Sequence, residues 1–153
     1  MEVLREIDAY LATQRLMSVA TYGEHPWVAN VYYVHDEKLN LYFLSKTWRE
    51  HCQAIETNPE VAVAIADSSQ PIWKPQKGIQ LYGTASPVHV VSQVTWMFKM
   101  WNKLIAGSNG EHLSDPKKFL DAGVSKIYRI TPKRIKFFNT ELWPKEQCQV
   151  AEL

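Results

Sequence analysis

Between Leu16 and Ala66 the chain runs LMSVATYGEHPWVANVYYVHDEKLNLYFLSKTWREHCQAIETNPEVAVAIA, and no other stretch limits the fold as much. Three apolar runs with strand character are separated by GEHP and HDEK, too short for a helical crossover. Parallel strands need a crossover of a dozen or more residues, so these three runs pair antiparallel. A short polar segment of helical character follows, and Asn58-Pro59 ends it because the residue before proline is pushed away from helical angles. Val61 to Ala66 then returns to strand. Consecutive strands of this kind curl into a barrel, and the helix after the third strand sets hydroxyls and basic side chains at one rim.

The rest of the chain follows the same logic. Val3, Ile7, Tyr10 and Leu11 recur at helical spacing, which predicts an amphipathic helix over 2–14. The second strand is expected over Trp27 to Val34 and the third over Leu39 to Phe43. Thr47 with Glu50 three residues on has the capping-box pattern for a helix over 48–57. Gly78 to Val88 predicts a strand, Val91 to Ile105 a helix closed at Gly107, and Asp115 to Ala122 a shorter helix opened by Asp-Pro. Val124 to Ile130 and Arg134 to Phe138 predict two final strands separated at Pro132, and the tail 139–153 has no clear period. The expectation is a single domain over 1–153, mainly β, with about six strands in an antiparallel split barrel flanked by helices.

Charge removes some functions. Seventeen basic and sixteen acidic side chains give a formal charge of +1, which leaves no footprint for nucleic acid or an anionic membrane. The N-terminal residues are acidic and lack a long apolar run, so neither a signal peptide nor a membrane span is expected, and a cytoplasmic location follows as the expectation. Cys52 and Cys148 stand far apart, without the spacing of a disulfide framework or a zinc site. The five histidines show no HxxxH or HExxH spacing, and GxSxG, GxGxxG and Walker loops are absent.

The best polar cluster is Ser45, Lys46 and Thr47 with Arg49 and His51. Hydroxyls, a helix N-terminus and nearby cations suit a phosphate, while helix capping with solvated lysine and arginine accounts for the same residue types. Lys77, Gly78 and Gln80 open the fifth strand, where a glutamine meets either the polar edge of a heterocycle or solvent. Asn30, polar among apolar neighbours, faces solvent or a ligand. Trp96, Met97, Met100 and Trp101 form an aromatic helix face suited to core, dimer contact or a cofactor wall. Trp73 and Trp143, in proline-flanked contexts, are candidates for stacking on a ligand. No side chain stands out as a catalytic acid or base.

Taken together, LMSVATYGEHPWVANVYYV, the hairpin into LNLYFLS, the helix ending in NPEVAVAI, the strand GIQLYGTASPV and the closing RITPKRIKFF resemble the FMN-binding split-barrel family related to pyridoxamine 5′-phosphate oxidase. The likeness spans roughly residues 5–138 and points to small uncharacterised bacterial members. It implies a homodimer that holds FMN in clefts between subunits and acts on a small-molecule substrate, with NADH or NADPH as electron donor. By the same likeness the backbone of Asn30, Val31 and Tyr32 faces the isoalloxazine ring. Ser45, Lys46, Thr47, Arg49 and His51 hold the ribityl phosphate, Lys77 or Gln80 approaches the ring edge, and Trp143 or Trp101 of the other subunit covers it. Where the true oxidase carries an arginine in the second strand this chain has Ala29, where it carries a lysine in the following helix this chain has His51, and its C-terminal basic pair has no counterpart. The expectation is therefore a flavin-dependent oxidoreductase that is not the pyridoxamine phosphate enzyme. The alternative is a non-catalytic carrier of flavin, or of haem, in the same cleft.

Overall fold

The computed structural model describes residues 2–73, 75–110 and 112–153. In chain order the described residues form α1 (Glu2–Leu11), β1 (Leu16–Tyr22), β2 (Pro26–Tyr32), β3 (Val34–His35), β4 (Leu41–Lys46), α2 (Glu50–Thr57), β5 (Glu60–Ile65), β6 (Lys77–Pro87), α3 (Val91–Ile105), α4 (Pro116–Ala122), β7 (Ser125–Asn139) and β8 (Cys148–Glu152). All eight strands join one antiparallel sheet in the order β2-β1-β5-β6-β7-β4-β3, with β8 added on β7. The sheet curls until β2 and β4 approach each other without hydrogen-bonded pairing, and that opening splits the barrel.

Alternation decides which side of each strand is buried. β5 reads exposed-buried along its length, so Val61, Val63 and Ile65 point inward and Ala62 and Ala64 outward. The interior is filled by side chains such as Val19, Leu41, Phe43, Ile79, Tyr128 and Phe137, closed at one end by Ile7, Tyr10 and Leu11 of α1. A second apolar layer lies outside the barrel, where Val94, Met97 and Phe98 of α3 pack on Val34, Tyr42 and Ile127.

β1 and α3 have the predicted bounds, but α1 stops at Leu11 and not at residue 14, the strands number eight among the described residues and not about six, and further expectations need correction. β4 begins at Leu41 and not at Leu39, because Leu39 takes φ +65°. Asp36 holds that turn, its carboxylate accepting from the backbone N–H of Lys38 and Asn40, from Asn40 Nδ2 and from the Tyr42 hydroxyl. The predicted second strand divides into β2 and β3. The Thr47–Glu50 capping box is not made: α2 starts after Arg49, whose side chain makes no cap hydrogen bond, and Thr47 instead directs its backbone N–H and hydroxyl to Val124 O at 3.2 and 3.4 Å. Finally, Pro132 does not divide β7. The register slips between Tyr82 and Gly83, so that Tyr82 opposes Arg134 and Gly83 opposes Pro132. Such a bulge accommodates a residue with no N–H to donate. Gly83 makes the close approach possible, since a Cβ there would lie 2.1 Å from Thr131 O. The tail contributes β8, which pairs with Arg134–Phe138 of β7 and has only Ala151 buried.

Candidate functional site

The opening of the barrel is a groove of about 710 Å³ between β2 and the end of β4, floored by the start of α2. One wall is Trp27 to Tyr32. The other is Leu44, Ser45 and Lys46, and Trp48, Arg49, Glu50, His51, Ser125 and Trp101 complete the lining. Among the described residues β2 pairs only with β1, so there it presents a free strand edge whose outward N–H and C=O groups can hydrogen-bond a ligand.

Strand parity explains the polar end. Ser45 shares the inward face of β4 with Leu41 and Phe43, and it is the last buried residue before the strand leaves the barrel. Its hydroxyl lies 2.8 Å from His51 Nε2, and His51 is itself buried, on the first turn of α2. Burial first, and the neighbouring Arg49 charge second, hold the imidazole pKa below its ordinary 6.5, so it is neutral at pH 7. Phe43 lies beside the ring, with centroids 6.1 Å apart. Lys46 is exposed and stands over Trp48, its Nζ 5.9 Å from the ring centroid. Arg49 is exposed as the N-cap of α2, and with no side-chain cap the first-turn N–H groups of the helix are left for an acceptor. Glu50 adds one negative charge and approaches His25 at 3.9 Å.

Aromatic and amide groups occupy the rest. Tyr32 meets Trp101 edge-on at 6.2 Å, which ties α3 to the groove wall. Ser18 donates to Asn30 Oδ1 at 2.6 Å, leaving the Asn30 amide nitrogen for another acceptor.

The fold thus brings Asn30, Val31, Tyr32, Ser45, Lys46, Arg49, His51 and Trp101 to one groove. Thr47 is adjacent but turned to Val124. Lys77 and Gln80 line a separate groove of about 300 Å³ with Gln70, Gln76 and Gly78. There Lys77 pairs with Glu141 at 2.6 Å, and its backbone N–H and C=O are both taken by the Gln70 side chain. Trp143 lines neither groove; it is half-buried and packs edge-on against Phe137 of the barrel core at 5.5 Å. Trp73 is among the most exposed side chains, on the loop between β5 and β6.

Sequence reasoning missed Trp27 and Trp48 as groove residues. An aromatic between Lys46 and Arg49 was the available signal for Trp48; Trp27 looked like any strand aromatic. Among the described residues no three His, Cys, Asp or Glu gather as a metal set, and no helix is long and apolar enough to cross a membrane.

Residues 3–139 match the pyridoxamine 5′-phosphate oxidase family. A UPF0306 protein of Photorhabdus laumondii is 33% identical over 79 residues, which are 50% of this chain and 54% of that protein, so the match spans about half the length of the relative. Among solved structures, the General Stress Protein 26 of Bacillus anthracis superposes with a TM-score of 0.71 at 18% identity, covering 100% of both chains. HutZ, the heme storage protein of Vibrio cholerae, superposes with a TM-score of 0.63 at 16% identity over 84% of this chain and 88% of its own.

Proposed function

The chain belongs to the pyridoxamine 5′-phosphate oxidase family, and from that premise we propose that it is an FMN-binding oxidoreductase acting on a small molecule. The observation that carries the proposal is the polarity of one groove. Ser45, Lys46, Arg49 and an uncapped helix start lie at one end, and a free strand edge with aromatic neighbours runs along the other. A phosphate is served by charge-assisted donors, and a planar heterocycle by backbone groups and ring faces, so the residues present fit FMN. Bound flavin supplies the electron-transfer chemistry.

The chain's own residues bind, orient and shield. Lys46 and Arg49 neutralise phosphate charge, while Ser45 and the first-turn N–H groups fix its direction. The β2 edge from Asn30 to Tyr32 sets the ring by backbone hydrogen bonds. Ala29 places no cation in the groove, and Glu50 opposes a second anion, so the substrate is one without a phosphate to anchor. Thr47 has no place in this set.

We also propose that two copies pair through the outer face of the sheet. Ala20, Ala62 and Ala64 form a low, exposed centre there, with Val28, Tyr82 and Gln80 around it in register. Such pairing is how Lys77 or Gln80 of one subunit would reach the cleft of the other, whereas Trp101, expected from the other subunit, already lines the groove of its own chain.

A carrier reading places haem in the same groove. His51, the histidine among the groove's described lining residues, would have to hold the haem iron, and its Nε2 is already hydrogen-bonded to Ser45 at 2.8 Å, which supports flavin over haem. Turnover separates an enzyme from a carrier. Anaerobic addition of NADH or NADPH to the flavin-loaded protein is expected to bleach the flavin band. A loaded protein that no nicotinamide donor reduces would favour the carrier.

A further inference from the structure

We infer that His51 is a positioning residue, whose Nε2–H donates to Ser45 Oγ and thereby leaves the serine proton free for a phosphate oxygen in the groove. This rests on the phosphate-site reading above and goes beyond it, because it assigns the groove's proton arrangement to a side chain that need not touch the ligand.

The pair is built for such a role. Oγ and Nε2 are 2.8 Å apart, Ser45 is 9% exposed and His51 4%. Two proton arrangements satisfy that distance. If the imidazole carries its proton on Nδ1, the hydroxyl donates to Nε2 and Ser45 offers only lone pairs to the groove. If Nε2 carries the proton, it donates to Oγ and the hydroxyl proton turns outward. A phosphate has acceptors and no useful donor near neutral pH, so it repels the first arrangement and completes the second.

The surroundings suit a neutral imidazole. Lys46 on β4 and Arg49 at the start of α2 supply the cationic charge; Glu50 is the nearest carboxylate on the helix, while Lys126 on β7 is engaged by Glu56 at 3.6 Å. Burial keeps His51 from adding a further charge. Its contribution is therefore directional, and it reaches the ligand through one hydroxyl.

The test compares FMN with riboflavin, which lacks the phosphate, by fluorescence titration of wild-type protein, Ser45→Ala, His51→Leu, His51→Gln and the Ser45→Ala/His51→Leu double variant. A hydrogen bond to a charged group predicts that Ser45→Ala and His51→Leu each weaken FMN roughly ten- to a hundred-fold, with riboflavin unchanged. The double variant should bind FMN no more weakly than Ser45→Ala alone, because His51 acts through Ser45. His51→Gln, whose amide N–H replaces Nε2–H, should stay within about three-fold of wild type. Nitrogen NMR of the FMN complex should show Nε2 protonated. Additive losses in the double variant, a glutamine variant as weak as the leucine one, or an unprotonated Nε2 in the complex would each overturn the inference. Should His51→Leu fail to fold, the glutamine variant and the nitrogen shifts decide alone. Wild-type protein that binds FMN no tighter than riboflavin would overturn the phosphate site and this inference together, whereas tight FMN binding with additive losses overturns only the inference.

Discussion

His51 sets the acid limit of the groove. Its folded pKa lies below the ordinary 6.5, so the unfolded chain binds its proton more readily than the folded one. Stability from this residue is complete above about pH 6.5 and falls as pH drops toward the folded pKa. Urea midpoints measured on flavin-free protein should therefore decline on acidification in that window, and His51→Gln should flatten the decline; an unchanged slope would contradict the assignment. Arg49 acts on the ligand instead of the fold. It is exposed and in none of the described ion pairs, so Arg49→Ala should leave the thermal midpoint nearly unchanged while weakening FMN about ten-fold, a loss that shrinks at high salt. An equal loss for riboflavin would place Arg49 away from the phosphate. At this scale the sequence was legible in part. The residue types at Ser45, Lys46, Arg49 and His51 signalled an anion site, but the 2.8 Å Ser45–His51 hydrogen bond depends on where α2 begins, and Thr47 gave a false start to that helix. Thr47 lost its capping role to Val124, a partner 77 residues away that no local pattern encodes.

Among elements, the β6–β7 pair is where local rules and tertiary structure disagree. Pro132 reads as an interruption because it cannot donate to a ladder, yet β7 continues past it on the strength of a bulge opposite Gly83. The compensation lies in another strand, out of reach of any reading of RITPKRIKFF alone. Gly83→Ala would drive a Cβ into Thr131 O and the Pro132 backbone, so we expect it to cost about 1–3 kcal/mol in urea unfolding. A change within a few tenths of a kcal/mol would mean the bulge can open. β8 went unread for a related reason: it is short, mostly exposed, and becomes a strand by pairing with Arg134–Phe138. By contrast β1 and α3 carry enough apolar residues at their own periods to be read directly.

For the whole molecule, the order β2-β1-β5-β6-β7-β4-β3 makes the split, and the split makes the groove. That order follows from tight turns early and long antiparallel strands late, which is why the barrel was legible before any site residue was placed. Lys77, Gln80 and Trp143 were joined to the groove by likeness alone, and within one chain the fold keeps them apart from it. Pairing of two copies would change that for Lys77 and Gln80. Light scattering should give twice 17.7 kDa, and Ala62→Arg, at the low centre of the outer face, should give monomers that release flavin. Monomers of wild-type protein that retain flavin would remove the paired cleft and leave the groove self-sufficient. Whether the groove holds FMN is read from the absorbance spectrum of the purified protein, with the mass of whatever denaturation releases. A flavin spectrum, as isolated or after adding FMN, and a released ligand with the mass of FMN are expected; a colourless protein that takes up no FMN would rule FMN out of the groove.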